Sequence, residues 1–387
     1  MSRSLQPAFL RTVAFVTLLL TAPVTHAQLV VTEGIAVDSL VRNFFIGGGA
    51  QVTNIDYRGF PRSISYFDGT ASNVGIDEGV LMTTGWVGYA VGPNQLENAG
   101  YGALVPGDQD LAQLVGAWTF DACVLEFDFV PYQDTVHFEY VFGSEEYTEY
   151  VGSEFNDVFA FFITGPGIIG QRNIALIPGT DTPVAINTVN HIDSSRYYVN
   201  NYAGNTVEYD GFTTVLKASA AVIPCQTYHL KLAIADVSDN IYDSGVFLKA
   251  GSFDAGNQLA VVGLQDATEG GCQPGIIEIQ RLGHLGEELT VQFQILGDAE
   301  NGADYAGILD SVTFAQGQSS IRIPIDAIKD SLSDDGEWVT IYIQDICNTG
   351  LVKDSIRIRE VPDLGLSAHA DTTVCAGDPL YFEARIS

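Results

Sequence analysis

Val141 to Gly167 reads VFGSEEYTEYVGSEFNDVFAFFITGPG, and this stretch decides the fold. Its first half is acidic, aromatic and punctuated by Gly. Val158–Thr164 (VFAFFIT) then forms a continuous apolar run that ends at Gly165-Pro166-Gly167. A run this short, rich in aromatic residues and flanked by turn signals, predicts a β-strand buried on both faces. A second stretch, Ile234–Phe253 (IADVSDNIYDSGVFLKAGSF), has the same character and is expected to lie beside the first.

Working outward, strands alternating between apolar and polar residues are predicted at Val124–Val130, Thr135–Phe142 and Tyr228–Ala235, with a short one at Val246–Ala250. Only Val37–Phe45 and Asp108–Val115 read as short helices. The pattern predicts a mainly β chain whose N-terminal domain, residues 28–255, is an antiparallel β-sandwich or jelly roll. Phe253–Gln258 reads as a linker. Residues 259–361 restart the pattern with LAVVGL, GIIEIQRLG, LTVQFQIL, SVTFAQG, IRIPIDAI, EWVTIYIQD and DSIRIRE, the spacing of an immunoglobulin-like β-sandwich. Residues 364–387 are too few to bury a core and are expected to begin a further module.

Asp+Glu outnumber Lys+Arg by 48 to 17, a net charge of −31, which argues against nucleic acid and anionic lipid as partners. Arg3 and Arg11, an apolar run from Val13 to Leu20 and the small Ala27 have the order of a secretory signal over residues 1–27. The apolar run is short for a membrane anchor, and no later segment would span a membrane. Export permits disulfides. Pairing within domains gives Cys123–Cys225 and Cys272–Cys347, and leaves Cys375 without a partner.

Several segments then carry a resemblance: Asn43–Asn54 with its Gly47-Gly48-Gly49, GVLMTTG from Gly79, GPN from Gly92, LEFDFVP from Leu125, the opening stretch, NIALIPGT from Asn173, YDGFTTVLKA from Tyr209, and YHLKLAIADVSDNIYDSGVFLKAGSF from Tyr228. Together they resemble the choice-of-anchor L domain of bacterial surface proteins, many of them from Bacteroidota. The resemblance implies export and surface attachment through a C-terminal signal. No such signal is read here, so the chain is expected to be the N-terminal part of a longer protein. Residues 259–361 resemble a Calx-beta domain through Glu269-Gly270, Ile279–Gly283, Ala303-Asp304-Tyr305 and Ile321–Pro324. Asp371–Ala384 is similar to the opening of a PKD-like or immunoglobulin-like module.

Calcium takes six to eight oxygens from carboxylates, amides and carbonyls. Glu145, Glu146, Glu149, Asn156 and Asp157 supply one set, and Asp236, Asp239, Asn240 and Asp243 another. These are candidate calcium ligands. The alternative is that they accept backbone N–H bonds in turns. The Calx-beta resemblance implies further calcium ligands at Glu269, Asp304, Asp330, Asp334, Asp335 and Glu337. Glu145 and Glu146 are adjacent, whereas glycosidase acids flank a bond from separate elements, so no catalytic residues are assigned. Tyr147, Tyr150, Tyr197, Tyr198, Tyr202, Trp86 and Trp118 are the aromatics that could meet a protein or carbohydrate ligand. The sequence therefore reads as a non-catalytic secreted or surface protein with a structural or adhesive role. The alternative is a display module for a catalytic domain beyond residue 387.

Overall fold

The computed structural model describes residues 28–386 except 47–49, 95–98, 271–272, 284, 287, 330–335, 345–346, 348–350, 361–363 and 367–383. Residues 1–27, Cys272, Cys375, Asp330, Asp334 and Asp335 therefore lie outside the described residues.

The described chain is mainly β and almost entirely antiparallel. In order come β1 (Val30–Thr32), a helical turn α1 (Val37–Ser39) continuing as wider turns over Leu40–Phe45, β2 (Gln51–Arg58), β3 (Ile64–Asp68) and β4 (Glu78–Thr83). Helix α2 (Gln109–Val115) follows, then β5 (Thr119–Val130), β6 (Thr135–Ser144), β7 (Val158–Thr164), β8 (Arg172–Asn173) and β9 (Tyr198–Asn200). The first sandwich closes with β10 (Gly211–Thr213), β11 (Leu216–Ala221), β12 (Tyr228–Val237) and β13 (Ser244–Lys249). One sheet runs β1-β3-β4-β13-β6-β10-β9 with β11 also on β6, and the other runs β2-β5-β12-β7-β8.

Alternation along the strands explains how the sheets meet. Phe138, Tyr140 and Phe142 of β6 point inward onto Phe159, Phe161 and Ile163 of β7, all buried. The Phe138–Phe161 and Phe142–Phe159 ring centroids are 4.9 and 4.8 Å apart. The other face of β7 offers Val158, Ala160 and Phe162 to a separate cluster capped by Leu111 of α2. The apolar run is thus covered on both sides, as its composition requires. The outer face of the first sheet buries Phe67, Val141 and Phe247 under loops that carry Val74, Val87 and Val207.

A second core follows in β14 (Asn257–Gln265), β15 (Ala267–Thr268), β16 (Gly275–Gly283), β17 (Leu289–Gln292), β18 (Gln294–Gly297), β19 (Ser311–Phe314), β20 (Ser320–Ile325), β21 (Glu337–Gln344) and β22 (Leu351–Arg359). The expected strand LTVQFQIL is broken at Phe293, which is buried in this core. Its two halves join different sheets, β17 pairing with β19 and β18 with β21.

The disulfide differs from both expected pairs. Cys225 bonds to Cys347, with Cα atoms 5.0 Å apart across 122 residues, and joins the first sandwich to the second. Cys123 is a free buried thiol. The reason is register: Cys123 of β5 faces Ile234, while Cys225 precedes Tyr228, which faces Phe129. The six residues from Cys123 to Phe129 alone cover roughly 20 Å of strand, far beyond the ~7 Å limit between bridged Cα atoms. Because Cys347 is taken by Cys225, the expected Cys272–Cys347 bridge does not form either.

Candidate functional site

Adjacent strands end together at one rim of the first sandwich, and acids follow at those ends. Ser144, the last residue of β6, pairs with Ser244 on one side and Gly211 on the other. Glu145, Asp243 and Asp210 are the next residues outward at that rim, and the Glu145 N–H donates to the Asp243 carbonyl at 3.1 Å. In the facing sheet Val158 pairs with Ala235, so Asp157 and Asp236 adjoin there. Asp236 in turn pairs with Phe120, beside Asp121. Ser244 Oγ donates to Asp157 Oδ2 at 2.7 Å and ties the two sheets together. The two stretches singled out in the sequence are therefore spatial partners.

These carboxyls are deeply buried, and Glu145 is 1% exposed. Neither Glu145 carboxyl oxygen has a hydrogen-bond partner, and Asp236 Oδ1 lacks one too. Burial pushes Glu145 up to about 10, helped by the charges of Asp210, Glu208 and Asp243. Burial, then the Asp157 charge, likewise raises Glu146. Asp157 and Asp236 are both raised, burial first, and they interact with one another. Burial raises Asp243, although both its oxygens accept the Tyr101 N–H at 3.0 and 3.1 Å. Asp121 accepts the Ala103 and Val105 amides at 2.9 and 2.8 Å, so it and Asp243 both hold the loop after Ala99.

The structure thus gathers Glu145, Glu146, Asp157, Asp236 and Asp243 at one rim. It adds Asp121, Glu208 and Asp210, which the sequence reading did not single out. Asp210 sits in Tyr209-Asp210-Gly211, the same acid-then-strand order as Asp243-Ser244. That order is the signal that could have found it. Other expected ligands are differently engaged. Asn156 Oδ1 accepts the Asn187 N–H at 2.9 Å, and Asp239 is half-buried and accepts the Ile241 N–H at 3.3 Å. Glu149 is exposed and Asn240 half-buried. In the second sandwich Glu269 is buried in the turn after β15, and Asp304 Oδ2 accepts the Glu300 N–H at 2.6 Å. Glu337 opens β21, half-buried. Among the described residues, no three His, Cys, Asp or Glu side chains already stand as a metal cage.

The aromatics divide by burial. Tyr147 is fully buried and its hydroxyl donates to the Val189 carbonyl at 2.7 Å. Tyr147→Phe should lower stability by about 1–3 kcal/mol, because it strands that carbonyl; a denaturant melt of the variant checks this. Tyr150, Tyr197, Tyr198 and Trp86 are half-buried. Tyr202 and Trp118 are 52% and 83% exposed, and Trp118 edges a shallow depression lined by Gln109, Gln113 and Gly116.

The family model described as the choice-of-anchor L domain matches residues 29–254, the sandwich that carries the acidic rim. No curated protein matches the chain. Among solved structures, the apo form of the Calx CBD1 domain is 16% identical, over 27% of this chain and 97% of that one, with a TM-score of 0.22. The glycoside hydrolase domain of Endo-D from Streptococcus pneumoniae is 7% identical, over 80% of this chain and 37% of that one, with a TM-score of 0.17.

Proposed function

Since the chain belongs to the choice-of-anchor L family, a family of bacterial cell-surface and secreted proteins, we propose that it is a non-catalytic surface module with a structural or adhesive role, braced at its acidic rim by calcium. No helix among the described residues is long and apolar enough to cross a membrane.

One observation carries the calcium reading: the Glu145 carboxyl is buried with neither oxygen partnered. Such a group must be neutralised by a proton or by a cation. Asp157 and Asp236 adjoin and can share a proton, whereas no hydrogen bond reaches either oxygen of Glu145. Calcium suits the donor set, since it accepts carboxylate, carbonyl and water oxygens in irregular geometry. Glu145, Asp210 and Asp243 would contribute carboxylates, with Glu146, Asp157 and Asp236 on the inner side. The expected result is a higher melting temperature of the full chain in calcium than in excess chelator, because a ligand of the folded state raises its stability. Identical melts would sink the calcium reading.

For adhesion, Trp118 is the most exposed aromatic among the described residues, and a flat ring beside glutamines suits a neutral sugar or a peptide. Binding on a glycan and matrix-protein array, lost in Trp118→Ala, is the expected outcome. Silence of the native chain across both arrays would count against adhesion.

A further inference from the structure

A second constellation lies on the opposite face of the β5-β12-β7 sheet from the core, beneath α2, and the function proposed above does not use it. Lys231 of β12 is 6% exposed and Asp108 is 4% exposed. Lys231 Nζ lies 2.8 and 2.7 Å from the two Asp108 carboxyl oxygens and 2.5 Å from Asp110 Oδ2. Asp108 Oδ1 also accepts the backbone N–H groups of Asp110 and Leu111, at 3.0 and 3.2 Å. The other oxygen, Oδ2, stands 3.8 Å from the Arg58 guanidinium. The Asp108 backbone is fixed on Thr119, whose hydroxyl accepts its N–H at 3.0 Å and donates to its carbonyl at 3.1 Å. Gln171 Nε2 donates to Asp110 Oδ2 at 3.2 Å and positions that carboxylate.

An ammonium held in this way is an amine nucleophile beside a carboxyl carbon. Two backbone N–H groups polarise one oxygen, a guanidinium faces the other, and a second carboxylate is in place to take the proton. From these contacts we propose that Lys231 and Asp108 condense to an amide, cross-linking α2 to the central strand β12. Asp110 takes a proton from Nζ, and the free amine attacks the Asp108 carboxyl carbon. The developing negative charge on Oδ1 is held by the Asp110 and Leu111 amides. Asp110 then delivers the proton to Oδ2. That oxygen leaves with both protons lost by the ammonium, as one water molecule. The balance is one carboxylate and one ammonium to one amide and one water, with no oxidant, cofactor or activated donor.

Two physical terms favour the step here. Groups held in place react at effective molarities of about 10⁵–10⁸ M, which offsets the resistance of carboxylate and ammonium to condensation in water. The buried ion pair also carries a desolvation cost, and the neutral amide removes it. The amide oxygen keeps both backbone hydrogen bonds, so the start of α2 is unaltered.

The test is the mass of the reduced, denatured full chain together with its tryptic map. The expected native chain is lighter by one water, resists trypsin after Lys231, and yields one branched peptide containing both Asp108 and Lys231. Asp110→Asn retains the Asp108 cap and should fold, yet lose the cross-link and regain the full mass and the cleavage. Lys231→Arg keeps the cation and should show the full mass as well. A folded native chain with its full mass and ordinary cleavage after Lys231 overturns the proposal. So does a missing water that maps to a linear peptide, or a branched peptide that persists in Lys231→Arg.

Discussion

In calcium-free solution at about pH 8, Glu145→Gln should melt well above the native chain, and in calcium it should melt below it. The metal-free part follows from linkage. The Glu145 carboxyl is raised from 4.5 to about 10 in the folded protein, chiefly by burial. The folded state therefore holds a proton that the unfolded state releases between those values. The stability contributed by this group is complete below about pH 4.5 and is lost progressively as pH rises towards 10. At pH ~8 the loss is on the order of 5 kcal/mol, and glutamine, which does not ionise, escapes it. The gain should vanish near pH 4 and grow with pH. Glutamine leaves a buried amide without partners, but neutral glutamic acid is stranded in the same way, so that cost nearly cancels. With calcium bound the sign reverses, because the native carboxylate meets the ion and the amide is a weaker ligand. Thermal melts of both proteins across pH, with chelator or calcium, read this directly.

The second large effect concerns the bridge between the sandwiches. Cys225→Ser with Cys347→Ser should lower stability by about 2–5 kcal/mol, since the bridge closes a long loop in the unfolded chain. The loop spans 122 residues and joins two separate cores. A specific signature is expected: a single native transition should separate into two in the double variant, because each core then melts alone. Calorimetry of the native chain and the double variant measures it. Unchanged melting would mean that the bridge adds nothing to stability. Cys123→Ser, at a buried thiol that bonds to no other cysteine, should leave the coupling of the two transitions as it is.

Most of the first sandwich was legible because its strands carry strong periods. Val158–Thr164 is a strand with the expected bounds, and Thr135–Phe142 extends only to Ser144. The proximity of Glu145 and Asp157 to Asp236 and Asp243 was legible too, since each acid lies within three residues of an apolar run. Asp121 and Asp210 were not, because Asp121 lies within β5 and Asp210 precedes the three-residue β10, and only sheet order brings these strands to the rim. Asp121 also adopts a left-handed backbone, φ 48°, at the start of β5, which no periodicity shows. The cysteine pairing failed for a related reason. Pairing within domains is the economical choice in sequence, but register places Cys123 far along the strand from Cys225, whose amide hydrogen-bonds to Pro131. Lys231 escaped notice because a lysine in an alternating strand reads as solvent-facing, whereas α2 covers it.

The most direct test of the central claim is a calorimetric titration of calcium into the chelator-stripped full chain and into its Glu145→Gln variant. The expected result is saturable calcium binding by the native chain, with one site fewer in the variant. A native chain that takes up no calcium, or a variant whose isotherm matches the native one, would contradict a calcium-braced acidic rim.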